Sequence, residues 1–345
     1  MAPPQFDVTP EKEGSIRAFL SRQWSFVPVA VTDVNLAGKT AVVVGANCGI
    51  GLELSRQFLN LGLSKLVIGA RSEEKAKAAI ADLQKTSSGK PQIESWPLDL
   101  ASYDSIVAFT QRAKGLERMD YVVLNAGICA TKFRLNESTG HDETVQTNYI
   151  STVLLSALLL PIAKAKRVAQ GGPTRITFTS SDVASWTLFK EKTNVPLFPA
   201  LDQGAANLTD RMMVSKLLGQ FYIAKLSQKV PSSIATINCA TPGMVHDTQF
   251  NREVDTTFSG KLIKPILRRL GYTSDVGARH ITDAALHHTN EETHGQYLSA
   301  QKLKPMAPII YTEEGKKISA QLWKETMAEL AFANVEQVIN DAGKD

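Results

Sequence analysis

Cysteine is scarce: the chain holds three in 345 residues, at positions 48, 129 and 239. They follow no metal-ligand spacing, and an odd number cannot all pair within one chain. No metal site and no disulfide framework is therefore expected, and a reducing, cytoplasmic setting is. Charge of one sign is also lacking, since 38 Lys and Arg against 34 Asp and Glu leave a net of only +4. With no basic run either, nothing here reads as a nucleic-acid groove. Apolar runs such as 153–162 fall short of the ~20 residues that span a bilayer, so no membrane span is expected. The N-terminal MAPPQFDVTPEKEGS has no basic start followed by an apolar stretch, which argues against a secretory signal. Internal repeats and low-complexity tracts are absent. What remains is a chain with 43% hydrophobic residues, enough for one large core or two small ones.

Residues 1 to about 14 are polar and Pro-containing and are expected to be mobile, while 16–26 (IRAFLSRQWSF) has apolar residues at helical spacing. Together, residues 1–34 read as an extension lying on the main body. From Thr40 the pattern becomes strand, glycine cluster, helix and strand: TAVVV, then a helical pattern over 52–61, then KLVIGA at 65–70. Fully apolar strands on this spacing belong to a parallel sheet covered on both faces. The alternation continues with helices at 72–85, 102–114, 143–168, 208–229 and 274–286, and strands at 93–97, 121–124, 175–180, 235–239 and 295–298. About seven strands result, and the fold class expected is α/β, a Rossmann-type doubly wound parallel sheet formed by residues 35–345 as one domain. Ligands of such sheets bind at the carboxyl ends of the strands. Two long insertions, 182–207 and 245–272, fall at that edge and mix Pro, aromatic and apolar residues, which suits a small-molecule substrate pocket. An amphipathic helix is expected over 318–339.

The first strand-to-helix turn reads Val44-Gly45-Ala46-Asn47-Cys48-Gly49-Ile50-Gly51. Gly45 permits a sharp turn, Gly49 lets the backbone approach a pyrophosphate, and Gly51 lets helix and strand pack closely. The helix start then faces the phosphates with unpaired N–H groups. NAD binding favours a carboxylate at the end of the second strand. Here that strand ends Gly69-Ala70-Arg71-Ser72, with no acid and a guanidinium suited to a 2′-phosphate, so NADP(H) is the cofactor expected.

The spacing of the three glycines, GxxxGxG, resembles that of the short-chain dehydrogenase/reductases, and the similarity runs from about Asn35 to the C-terminus. Further matches follow in order. Leu98-Asp99-Leu100 resembles the family's adenine-contacting turn, and Leu124-Asn125-Ala126-Gly127 its NNAG motif. Pro242-Gly243, with Val245 just beyond, resembles the PG turn beside the nicotinamide. Val44 stands where the family usually has Thr. The N-terminal lead-in and the tail around Gly295-Gln296-Tyr297 and Leu322-Trp323 resemble longer members from filamentous fungi. Many of these act in specialised metabolism, which implies an apolar polyketide- or terpenoid-like substrate.

The resemblance also implies a catalytic set: a tyrosine that exchanges the proton, a lysine four residues later, a carbonyl-polarising serine and an asparagine that anchors a water relay. Asn148, Ser181 and Lys216 match three of these, but the tyrosine position is Met212. The flanking residues align without a gap, and a thioether cannot donate a proton. Replacement donors include a water relayed through Lys216 and Ser181, or His246, Asp182 or Tyr149. Four readings fit. The protein reduces a ketone by such a substitute donor. It reduces an enone or iminium that needs little concerted protonation. It performs a non-redox cyclisation, isomerisation or dehydration while keeping NADP(H). Or it binds the cofactor silently. Cys129 is expected to be a bystander thiol, and His287-His288 no metal pair, since adjacent helical residues face different ways. A homo-oligomer is compatible with the family.

Overall fold

Five residues, Thr40–Val44, form β1 and are buried along their whole length. Strand β2 (Lys65–Ala70) is likewise buried except at its first residue. Such runs of Val, Ile and Leu suit strands covered on both faces rather than one. The computed structural model describes residues 6–87, 89–205, 207–251, 253, 265 and 267–344. Among these residues lies one eight-stranded sheet, ordered β3-β2-β1-β4-β5-β6-β7-β8. It adds β3 (Gln92–Pro97), β4 (Tyr121–Leu124), β5 (Thr174–Thr179), β6 (Ala235–Ala240), β7 (Gln296–Ser299) and β8 (Lys302–Lys304). All neighbouring pairs are parallel except β7 with β8.

Strand β8 goes beyond the seven expected. It pairs with β7 through a two-residue hairpin whose central residues, Ala300 and Gln301, both have positive φ (50° and 56°). Tight hairpins need that geometry, and Asn-Gly usually announces it. Ala-Gln does not, so the sequence carries no turn signal there.

Helices cover both faces. On one side lie α2 (Gly49–Asn60), α3 (Glu73–Thr86) and the later helix Ser274–Leu286, packing Leu54, Phe58, Leu83 and Ile281 on the sheet. On the other lie α4 (Tyr103–Ala113), α5 (Glu143–Lys166) and α6 (Leu208–Leu226), burying Phe109, Leu154, Leu159, Leu217 and Phe221. Ser72, Ser102 and Asn207 cap α3, α4 and α6 by accepting from N–H groups of the first turn. Helix α5 is long and apolar enough to cross a membrane, but most of it is buried inside the protein.

The first strand order reversal lies between β1 and β4, with β2 and β3 on one side and β5 to β7 on the other. At such a switch point the loops after adjacent strands diverge and leave a crevice. Here the loops after six strands meet around one cavity of about 430 Å³.

Three details differ from expectation. The N-terminal stretch expected to be mobile to about residue 14 forms a helical turn at Pro10–Glu13, capped by Thr9, and Asp7 pairs with Lys304 at 2.6 Å. Helix α1 (Ile16–Ser25) follows, where the sequence places it. The single C-terminal helix expected over 318–339 is two: α8 (Glu313–Glu329) and α9 (Val335–Ala342), with Ser274–Leu286 counted as α7. A 3-10 turn and left-handed Asn334 (φ 51°) separate them, which lets Leu330, Val335 and Ile339 all reach the core. The insertions also divide the pocket unevenly. Among the described residues of 182–207, Val183 alone borders the cavity, whereas Phe189, Leu197, Phe198 and Leu201 are buried in the core. From 245–272, Val245, Thr248, Gln249, Phe250 and Glu253 border it. Residues 252, 254–264 and 266 of that insertion lie outside the described residues.

Candidate active site

The glycine turn is shaped by contacts that leave no room for side chains. Gly45 has φ +80°, and a Cβ there would lie 2.8 Å from Ala126 Cα. A Cβ on Gly51 would lie 2.3 Å from the Gly45 carbonyl oxygen and 2.8 Å from Asn125 Nδ2. Only glycine allows α2 to start this close to β1. Asn125 holds the turn from β4: its Nδ2 donates to the Gly45 oxygen at 3.1 Å, and its Oδ1 accepts from Thr179 Oγ1 at 3.3 Å. Asn47, Cys48, Gly49 and Ile50 line the cavity at the N-terminus of α2, where the helix dipole favours an anion.

Arg71, at the tip of β2, borders the same cavity with Lys75, one helical turn further on. Both are exposed, and neither forms an ion pair among the described residues. The strand itself ends Gly69-Ala70-Arg71 without an acid, and Glu73 and Glu74 open the helix that follows. Asp99, after β3, also borders the cavity, but its carboxylate caps its own turn by accepting from Ala101 N at 3.0 Å. Lys75 is an addition to the residues singled out from the sequence; its place four residues after Arg71 was the available signal. These donors and the side-chain-free cradle fit a dinucleotide carrying a phosphate on its adenosine ribose.

The far end of the cavity gathers Asn125, Ala126, Gly127, Ser181, Met212, Lys216, Pro242, Gly243 and Val245. Met212 and Lys216 are one turn apart on α6, and Met212 is 8% exposed, with its side chain bordering the cavity. Lys216 Nζ donates to the Thr179 main-chain oxygen at 2.9 Å. Burial pushes its ammonium down to about 8, because no carboxylate offsets the lost hydration. Ser181 follows β5 and accepts from Val183 N at 3.4 Å, which caps a 3-10 turn. Asn148 sits in a π-helical turn, Gln146–Ile150, inside α5. Its Oδ1 accepts from Ile128 N at 2.8 Å, and its Nδ2 donates to the Ile128 oxygen and to Ser215 Oγ, both at 2.9 Å. It therefore ties the loop after β4 to α6 and does not border the main cavity. A second, small cavity of about 30 Å³ lies behind Lys216, lined by Asn148, Thr179, Ser180, Ser215 and Lys216 among others. That is room for a water molecule with polar partners on several sides.

The substitute proton donors fare differently. The Asp182 carboxylate is committed to Arg22 at 2.8 Å and to Thr241 Oγ1 at 2.7 Å. Tyr149 is packed in the core with its hydroxyl against Thr326 Oγ1 at 2.8 Å, and burial raises its pKa. His246 is half-buried but does not border the cavity. Lys216, by contrast, is an ionisable group that borders the cavity together with Ser181 and Met212. Cys129 borders the cavity near Glu253, and burial raises its thiol pKa, which keeps it protonated. None of the three cysteines is in a disulfide, and no cluster of metal-ligating side chains occurs among the described residues.

One group at the rim was not singled out from the sequence. Arg134 is held between Glu143 (2.6 Å) and Glu253 (2.9 Å), and Glu253 also accepts from the Thr131 main chain and hydroxyl. The three charges come from segments up to 119 residues apart, which no local pattern reveals.

Comparison with known proteins agrees with this architecture. The short chain dehydrogenase family profile matches residues 39–192. The chain is 37% identical over 346 residues to Short-chain dehydrogenase fogG of Aspergillus ruber, covering 98% of this chain and 99% of that protein. It is 37% identical over 339 residues to Short chain dehydrogenase virL of Hypocrea virens, covering 96% and 97%. Among solved structures it resembles a short chain dehydrogenase from Shigella flexneri complexed with NADP. There the TM-score is 0.52 at 20% identity, covering 79% of this chain and all of that one, a likeness of fold. A near-full-length match at this identity, on a sheet of this order with the glycine turn at its switch point, places the chain in the short-chain dehydrogenase family.

Proposed function

We propose that this protein is an NADPH-dependent reductase acting on a ketone, enone or imine of an apolar small molecule in specialised-metabolite biosynthesis. The observation that carries the reading is the single cavity that joins the glycine turn and Arg71 at one end to Ser181 and Lys216 at the other. The NADP complex of the Shigella flexneri relative supports the cofactor, and the fungal relatives support the metabolic setting. The reading takes residues 35–345 as one cofactor-binding domain with 1–34 as an extension, at work where its three thiols stay reduced.

Bound NADPH would supply a hydride. The amides of residues 47–51 and the start of α2 would hold the diphosphate, and Arg71 with Lys75 would hold the 2′-phosphate by charge-assisted hydrogen bonds. Lys216 would bind the nicotinamide ribose. Ser181 donates its hydroxyl proton in a hydrogen bond to the substrate oxygen or nitrogen and so polarises the acceptor carbon. Asn148 keeps the Ile128 loop and α6 in register and borders the water-sized cavity behind Lys216. The proton that the substrate oxygen or nitrogen gains would come from the Lys216 ammonium through the Ser181 hydroxyl, and a water in that cavity would return a proton to Lys216, which so stands in for the missing phenol. Met212 presents an apolar wall, which best suits an acceptor that requires little concerted protonation.

Met212 also favours a second reading, in which the site keeps NADP(H) but carries out a cyclisation or isomerisation without net redox change. Purified protein, NADPH and a panel of aromatic ketones, cyclic enones and cyclic imines separate the two. One NADPH oxidised per product supports the reductase. Product without loss of NADPH absorbance supports the non-redox enzyme. Cofactor binding with no product from any class leaves a binding protein and sinks both.

A further inference from the structure

We infer that Gln23 is a positioning residue for the cofactor site, and that α1 sets the 243–245 turn at the nicotinamide end of the cavity. This rests on the reading that the cavity takes NADP(H). Gln23 is 6% exposed, and among the described residues its carboxamide bonds to main chain. Its Oε1 accepts from Met244 N at 2.9 Å, and its Nε2 donates to the Met244 oxygen at 3.3 Å and to the Leu270 oxygen at 3.2 Å. One planar group thus holds residues on either side of the 245–269 stretch. The fit to the turn is close: a Cβ on Gly243 (φ +72°) would lie 3.0 Å from Gln23 Oε1 and 3.0 Å from the Tyr272 ring.

The neighbouring side chain reaches the same turn from its other side. Arg22 bridges Glu13 and Asp182, both at 2.8 Å. Asp182 accepts from Thr241 Oγ1, and Thr241 Oγ1 accepts from Gly243 N at 3.2 Å. Tyr272 closes the group by donating its hydroxyl proton to the Phe26 oxygen at 2.9 Å. Gln23, Arg22 and Asp182 do not border the cavity, whereas Pro242, Gly243, Met244 and Val245 do. Gln23 therefore acts on the cofactor through the main chain of that turn, whereas Arg22 also holds Asp182, which lies between Ser181 and Val183 at the cavity.

Two probes on the full-length protein test this. Fluorescence of bound NADPH reports the dihydronicotinamide end, and calorimetric binding of adenosine 2′,5′-bisphosphate reports the Arg71 end. Gln23→Met keeps the side-chain length and removes all three bonds. It is expected to weaken NADPH about tenfold and to alter its bound emission, since only part of the cost of the three lost bonds reaches the cofactor through the turn. The bisphosphate affinity is expected to stay within about twofold of the wild type, about 0.4 kcal/mol. Gln23→Glu removes the donors while ionised and restores one when protonated, so its NADPH affinity is expected to recover toward mildly acidic pH. Unchanged NADPH affinity and emission in Gln23→Met, or equal weakening of both probes, overturns the inference. Absence of NADPH binding by the wild type overturns the cofactor reading and this inference with it.

Discussion

Met212 stands one helical turn before Lys216 on α6, and both side chains border the cavity that also receives Ser181. On the proposed reading Lys216 is the lysine of a short-chain dehydrogenase, and a thioether, which has no proton to give, stands where the phenol would be. The i and i+4 positions of a helix share a face, so a phenol at 212 would come into reach of the Lys216 charge.

Met212→Tyr is therefore expected to raise carbonyl reduction of simple aromatic ketones by about 10²–10⁴-fold, the usual contribution of a general acid. NADPH oxidation in steady state checks it. An unchanged rate would mean that proton transfer at position 212 does not limit the native site.

Arg71→Ala is expected to weaken NADPH by about 10–100-fold, the loss of one charge-assisted contact, while NADH affinity stays nearly constant. Calorimetric titration with both cofactors reads the difference. Equal weakening of the two would mean that Arg71 does not meet the 2′-phosphate.

Lys216 carries a stability signature of its own. Its pKa is pushed down to about 8 by burial, from an unfolded value of 10.5. Below pH 8 both states are protonated, and the folded state bears the desolvation penalty. Between 8 and 10.5 only the unfolded state holds the proton, so this penalty is relieved as pH rises. Lys216→Met is expected to stabilise the cofactor-free protein by about 1–3 kcal/mol near neutral pH, with the gain shrinking above pH 8. Thermal unfolding across that range measures it, and a destabilised variant would contradict the buried-ammonium account.

His141 has the opposite sign. Burial opposes its charging, but Asp202 at 2.8 Å and Glu329 at 3.3 Å outweigh that, and its pKa is pushed up to about 9. It joins the loop before α5 to the 182–207 insertion and to α8. A pKa raised above the unfolded 6.5 gives stability that is fully present below 6.5 and is lost as pH rises through about 9. The wild type is expected to lose about 1–3 kcal/mol over that window relative to His141→Gln. Parallel melting curves for the two proteins would refute the linkage.

Local sequence decided most of the scaffold. Runs such as TAVVV and KLVIGA can be buried only between two layers of helix, and Gly45 and Gly51 are required wherever a helix begins this close to a strand. Their order along the chain also placed Asn125, Ser181 and Lys216 at successive strand or helix positions around one switch point, and Met212 among them. Those signals are short-range: periodicity, turn chemistry and fixed spacing. Tertiary structure alone decided which carboxylates were already committed. Asp182 looked available beside Ser181 until Arg22, 160 residues earlier, was found holding it. It decided that the apolar part of 182–207 fills the core and that Gln23 grips a turn 221 residues away. It also closed a hairpin on Ala300 and Gln301, residues with no turn preference of their own. Hydrogen bonds and burial between distant segments depend on how the whole chain packs, and no local pattern in the sequence encodes the partner.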